Sequence, residues 1–276
     1  MRALLASPLG FLIGISLGAL GGGGSILAIP ALVYAAGQAP KAATTTSLVL
    51  VAITAAVGIV PHWRAGRVRV AAGTAFGVVG VGGSLLGTRL NSSVNQDLLL
   101  LLFSGLMLIA AGAMWRRVRR AETGVSVASK RPAAETVSLT GTPDGIPMAR
   151  ARAISVVKVL VAGSFVGMLT GFFGVGGGFV IVPALVLALD FDMIQAAGTS
   201  LLVITINSVV ALTSRLQGGS IEWRIVVPFV ALSLLGVMAG NRLAGSKSPA
   251  VLQKWFAGLL VTVAVYTAVR SGIALG

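Results

Sequence analysis

The chain has 276 residues, 56% hydrophobic and only 10% charged, with a formal net charge of +14, one histidine and no cysteine; its mean hydropathy is +0.97. A soluble domain carries about 25% charged residues, so the composition excludes an ordinary soluble fold and identifies an integral membrane protein. Disulfides and thiolate metal sites are excluded by the missing cysteine, a histidine cluster by the single His62, and a nucleic-acid role by the distribution of charge, since nine of the 21 basic residues crowd into one segment between Arg116 and Lys158.

The first twenty residues, one arginine followed by an apolar stretch, have the outline of a signal peptide. The same pattern returns inside the chain around Val161–Phe173, so the segment reads as the first helix of the fold. It ends in Gly21–Gly24, and Ile26–Ala36 follows, eleven apolar residues that cover only about half of a ~30 Å bilayer core at 1.5 Å each. Three runs long enough to span come next, Thr44–Val60, Val70–Leu90 and Leu98–Trp115. A polar, basic segment rich in Thr, Ser, Pro and Ala separates these from a second series: a helix through Val161–Phe173, a break at Gly174–Gly178, a short stretch Phe179–Leu189, and spans Ala196–Ser214, Ile225–Leu243 and Val251–Val269. The runs are continuously apolar rather than alternating, which predicts helices and not a barrel.

The second series repeats the first. At an offset of 153 residues the halves align without a gap, and about a quarter of positions from Phe11 to Arg117 are identical. "GALGGGGSILAIPALV" (Gly18–Val33) falls on "GFFGVGGGFVIVPALV" (Gly171–Val186) with 8 of 16 positions matched, "TTTSLVL" on "AGTSLLV", and "GSLLGTRL" on "GVMAGNRL". The predicted fold is an all-α polytopic membrane protein with about 8–10 membrane helices. Residues 1–117 form a first transmembrane repeat and 154–276 a second, each a glycine-broken helix pair plus three spans. Residues 118–153 form a basic, flexible loop, cytoplasmic by the positive-inside rule. If each short stretch turns back, the halves have an odd number of crossings and are inverted; if it is one broken span, they are parallel. Basic residues divide 15 inside to 6 outside in the inverted arrangement and 16 to 5 in the parallel one, so charge does not decide. Short Gly- and Pro-interrupted segments at matching positions favour inversion.

The breaks are the first candidate site. A helix restarting after glycines presents unpaired N–H groups and a partial positive charge to which an anion has close access. Gly23, Gly24 and Ser25 in the first half, with Gly176, Gly177 and Gly178 in the second, are the candidate substrate contacts. The four-residue spacing of Gly14, Gly18, Gly167 and Gly171 reads instead as helix packing. Thr46, Ser47, Thr199 and Ser200 open the next span in each half, as caps or as substrate contacts. Asn207, matched by Thr54, either bonds to a neighbouring helix or lines a cavity. Arg89 and Arg242 are equivalent and near helix ends, placed to snorkel or to grip an oxyanion. His62 and Arg215, also equivalent, read as interfacial. All seven acids lie in loops or at their edges, which argues against a cationic substrate and a carboxylate proton carrier.

The duplicated order of glycine-rich break, "IPALV" or "IVPALV", "TTTSL" or "AGTSL", "GRVRV" or "GSIEW", and "GTRL" or "GNRL" resembles the TauE/SafE family of membrane transporters over almost the whole chain except the central loop. The second half is the closer match; the first departs at Ser25 and Thr45. The resemblance implies export of sulfite or small organosulfonates across the bacterial inner membrane, with Gly23, Gly24, Gly176, Gly177 and Gly178 lining the substrate site and Thr46, Ser47, Thr199 and Ser200 nearby. The expected function is thus a secondary transporter for a small sulfur-containing anion, driven by an ion gradient or the membrane potential because no nucleotide motif is present. An anion channel, or a carrier of another carboxylate or oxyanion, is the alternative. No enzyme activity and no cofactor are expected; the partners are the anion and membrane lipid, and a homodimer is left open.

Overall fold

The computed structural model describes all residues except 1, 23, 25, 26, 29, 30, 33–36, 39, 92–95, 123–147, 174–177, 216–222 and 276. Nine helices are described: α1 (Arg2–Leu20), α2 (Pro40–Arg64), α3 (Val70–Asn91), α4 (Gln96–Glu122), α5 (Met148–Phe173), α6 (Gly178–Leu187), α7 (Met193–Arg215), α8 (Trp223–Ser246) and α9 (Pro249–Leu275). Stretches Thr45–Arg64, Val70–Gly87, Leu101–Arg120, Met193–Thr213, Val226–Ser246 and Pro249–Val269 are long and apolar enough to cross a membrane, and Pro8–Leu20, Val156–Phe172 and Gly178–Leu187 are shorter apolar helices. The chain is an all-α, multi-pass membrane protein. Its outer surface shows why: Val78, Leu85, Ile109 and Val161 are each more than 60% exposed, which suits hydrocarbon and not water.

Both ends of the basic segment are helical beyond the predicted boundaries. Helix α4 continues through Arg119 and Arg120 to Glu122, and α5 begins at Met148. Arginine is a good helix former, and cations at a helix C-terminus offset its partial negative charge.

Helix pairing joins the two halves. Helix α1 packs on α8 and α5 on α3, while α2 packs on α7 and α4 on α9. The first two seams are built from small residues. A Cβ at Gly14 would lie 2.1 Å from the Ser233 carbonyl oxygen, and one at Gly167 would lie 2.1 Å from that of Gly80. Such backbone contact is how helices associate in lipid, where burial of apolar side chains gives little drive. The Ser233 hydroxyl adds a hydrogen bond to the Gly10 carbonyl at 2.9 Å.

The same contacts fix helix direction. Gly10, Gly14 and Gly18 meet Phe229, Ser233 and Val237 in ascending order, so α1 and α8 run parallel. Gly80, Gly83 and Gly87 meet Gly163, Ser164 and Met168 likewise, so α3 and α5 are parallel. Gly58 packs on Leu201 and Gly198 on His62, so α2 and α7 are antiparallel. Helices α1 and α2 therefore point the same way, and the chain between them must come back. Each helix of the first series runs opposite to its sequence equivalent in the second.

Candidate functional site

Helix α1 closes with a hydrogen bond from the Gly21 N–H to the Leu17 carbonyl at 2.8 Å. Gly21 then turns the chain with φ +76°, a conformation costly for any residue with a side chain. It does so against the start of α7: a Cβ there would lie 2.4 Å from the Ala197 Cα. The Ser200 hydroxyl donates to the Gly21 carbonyl at 2.9 Å, with the Ala197 carbonyl also within 2.8 Å. Gly22 meets the second break directly. Its pro-Cβ position is 2.0 Å from the Gly178 carbonyl oxygen and 3.1 Å from Val182. Gly24 already faces back along α1, 2.5 Å from the Ile13 carbonyl. Gly22 of the first break and Gly178, at the end of the second, thus meet in the interior.

Gly178 opens α6, in which eight of ten residues are buried. Its first-turn N–H groups have no acceptor within the helix, and that end carries its partial positive charge. Phe179 fixes the helix start by an edge-to-face contact with Phe103 of α4, centroids 4.9 Å apart. The other end is held by Arg117, which donates to the Val186 carbonyl and pairs with Asp190 at 3.3 Å. Helix α6 is about 15 Å long and is pinned at both ends.

The remaining candidates separate into groups. Thr199 is wholly buried beside the first break, and its hydroxyl accepts from the Arg69 N–H at 3.1 Å. Ser200 is the residue bonded to Gly21. Thr46 and Ser47 are equally buried, but the antiparallel register that sets His62 beside Gly198 puts them about 20 Å away, at the other end of the α2–α7 pair. Thr54 and Asn207 fall near the middle of that pair. The Thr54 hydroxyl is spent on the Leu50 carbonyl at 2.6 Å, while the Asn207 Oδ1 is buried without a hydrogen-bond partner. Arg89 and Arg242 are exposed at opposite ends of the molecule. Gly87 packs on Phe172 near the end of α5 and Gly240 on Ala19 near the end of α1. Two residues on is about 200° round a helix, which turns the side chain away from the broken helix. Gly23, Ser25, Gly176 and Gly177 lie outside the described residues.

One group escaped the sequence reading. His62 stands in the last turn of α2 and is covered by its neighbours, 3% exposed. Its Nε2 lies 3.1 Å from the Asn241 Oδ1, and the Asn241 amide donates to the Gly58 carbonyl at 3.3 Å. Nothing in "PHWR" announces this, because the burial is supplied by α7 and α8. A sole histidine at the end of an apolar run, equivalent to an arginine in the other half, was the available signal. No group of three or more metal-ligating side chains occurs among the described residues. An open groove of about 580 Å³ on α4, α5 and α6, lined by Ile109, Val161, Phe165, Val180 and Pro183 among others, is apolar and suits lipid chains better than an anion.

Comparison with known proteins agrees on the class of molecule. A family described as "Sulfite exporter TauE/SafE" matches residues 6–267. Two proteins of Xylella fastidiosa, each named a probable membrane transporter protein, are similar throughout. That of strain Temecula1 is 32% identical over 271 residues and that of strain 9a5c 33% over 269, each alignment covering 96% of this chain and 95% of the relative. The probable membrane transporter protein YdhB of Bacillus subtilis is 26% identical over 247 residues, 88% of this chain and 91% of its own. No solved structure matches.

Proposed function

The chain belongs to the TauE/SafE family, and from that premise we propose that it is a secondary transporter exporting a small sulfur-containing anion, sulfite or an organosulfonate such as sulfoacetate, across the bacterial inner membrane. That it is a membrane transporter follows from the family; the substrate, the outward direction, and an ion gradient or the membrane potential as driving force are the proposal. The observation that carries it is the meeting of Gly22 with Gly178, which brings a glycine-lined reversal against the electropositive start of a buried half-length helix. Oriented N–H groups recognise an anion without a formal charge, and the Ser200 hydroxyl, bonded to the Gly21 carbonyl, adjoins the reversal.

Opposed helix directions in the two halves support inverted repeats, the arrangement that gives alternating access to one central site. With those directions, 15 of the 21 basic residues fall on the side of the central segment and 6 on the other. That asymmetry supports a cytoplasmic central segment. The half-sites then differ in role: Gly178, Thr199 and Ser200 serve the conformation described, and Thr46 and Ser47 its mirror image open to the other side. Arg89 and Arg242, one at each mouth, gather anions.

Flux into liposomes holding the purified protein tests the reading, comparing sulfite, sulfoacetate and taurine with lactate. Saturable movement of sulfite or a sulfonate, accelerated by the same anion on the far side, is the expected result. Unsaturable movement of every anion would make the protein a channel, and saturable lactate movement alone would overturn the substrate class.

A further inference from the structure

His62 is the chain's only histidine, and it is buried, its ring packed on Gly198 and its Nε2 beside the Asn241 oxygen. We propose that His62 is the proton-binding group of the transporter, taking up a proton together with the anion. The proposal rests on the reading of the chain as a secondary transporter.

The position is central to both halves. The ring sits on α2, hydrogen-bonded to Asn241 of α8, against Gly198 of α7, whose pro-Cβ position is 3.2 Å from Nδ1, and near the backbone of Gly18 on α1. Gly198 directly precedes Thr199 and Ser200, the residues that hold Arg69 and the Gly21 turn. A change of charge at His62 therefore acts on the elements that form the first break. The Asn241 amide gives its hydrogen to Gly58, so its oxygen accepts and Nε2 carries a hydrogen. Nδ1 makes no hydrogen bond and is the free basic atom.

The surroundings say what a proton would need. The charged groups on the elements packed around His62 are Arg64, Arg67 and Arg69 at and after the end of α2, Arg242 on α8, and Asp192 ahead of α7. Asp192 caps its own helix by accepting from the Ile194 and Gln195 N–H groups. Lys41, Arg215 and Arg224 lie at the far ends of α2, α7 and α8, and α1 adds none near the ring. An imidazolium there has the Gly18 carbonyl nearby but no counter-charge among the described residues, and a buried, unpaired charge is costly. An anion supplies the counter-charge. Proton and anion then favour each other reciprocally, which is symport; net direction follows the sum of the two gradients, so the anion leaves only where its outward gradient exceeds the inward proton gradient. Carboxylates, the usual proton carriers in membranes, are confined to loops and their edges in this chain.

The full-length protein in liposomes with a trapped pH-sensitive dye, given sulfoacetate, reads this out. Sulfoacetate is a dianion, so one proton per anion leaves a net charge to move; with the membrane potential clamped at zero, a gradient of one pH unit drives about tenfold accumulation on the alkaline side, and the dye reports protons entering with the anion. His62→Gln abolishes the accumulation, lowering the ratio of gradient-driven uptake to sulfoacetate–sulfoacetate exchange about tenfold. Asn241→Leu keeps the histidine and removes its acceptor, so the pH profile of uptake moves while proton entry persists. Wild-type exchange with no dye response, an unchanged ratio in His62→Gln, or an unmoved profile in Asn241→Leu overturns the proton site and leaves the transporter. Absence of saturable sulfite and sulfoacetate movement in the wild type overturns both.

Discussion

Gly22 shows how much a single missing methyl group decides. A Cβ at this position would sit 2.0 Å from the Gly178 carbonyl oxygen, a backbone atom that cannot swing aside like a side-chain end. Gly22→Ala therefore pushes the two breaks apart, and sulfonate flux in liposomes is expected to fall at least about tenfold, the consequence of a displacement of about 1 Å at a site of this kind. Ser200→Ala is milder. It removes the hydroxyl that bonds Gly21 and leaves that carbonyl short of a partner, a loss of about 1 kcal/mol, seen as a lower melting temperature in detergent with the helix content retained. A melting temperature equal to wild type would mean that the Gly21 turn holds without Ser200.

At the scale of the element, glycines divide by what they face. Gly167 lies in the α3–α5 seam with its pro-Cβ position 2.1 Å from a backbone oxygen, whereas Gly82 and Gly258 have nothing within 4 Å. Gly167→Leu is expected to destabilise by about 1–3 kcal/mol through overpacking, and Gly82→Ala to raise helix stability by up to about 1 kcal/mol. Thermal unfolding of the two variants side by side separates seam glycines from spare ones. Helix α6 gives a second test. Arg117 holds both the Val186 carbonyl near its end and Asp190, so Arg117→Gln loosens this end, and hydrogen exchange at the Ala188 and Phe191 amides, bonded to Ala184 and Leu185, is expected to quicken. Unchanged exchange there would show that α7 alone holds the loop.

At the scale of the molecule, the helix directions make a topology testable with unusual economy, because the chain has no cysteine to remove. Single cysteines at the exposed Gly37, before α2, and Gly66, after it, lie at opposite ends of one helix. A membrane-impermeant maleimide added to intact cells is expected to label the first and not the second, and inverted membrane vesicles to reverse the pattern. Labelling of Gly66 from outside would turn the protein over in the membrane and, with it, the side from which the Gly22–Gly178 contact opens.

Hydropathy, the glycine breaks and the 153-residue repeat are local or pairwise properties of the chain. They were enough for the six spans, the half-length helix α6, the transporter family and the packing role of Gly14, Gly18, Gly167 and Gly171, while most of the matching stretch Ile26–Ala36 lies outside the described residues. Charge did not decide helix direction, because basic residues divide almost equally well under either arrangement; the Gly- and Pro-interrupted segments favoured inversion, and packing contacts such as Gly58 on the Leu201 side chain show the opposed directions. The grouping of the site was hidden: Thr46 and Thr199 have the same local surroundings in sequence, and antiparallel pairing of α2 with α7 sets them about 20 Å apart. His62 sits at a helix end in the sequence and in the core of the protein, because burial belongs to the neighbours that cover a residue and not to the residue itself.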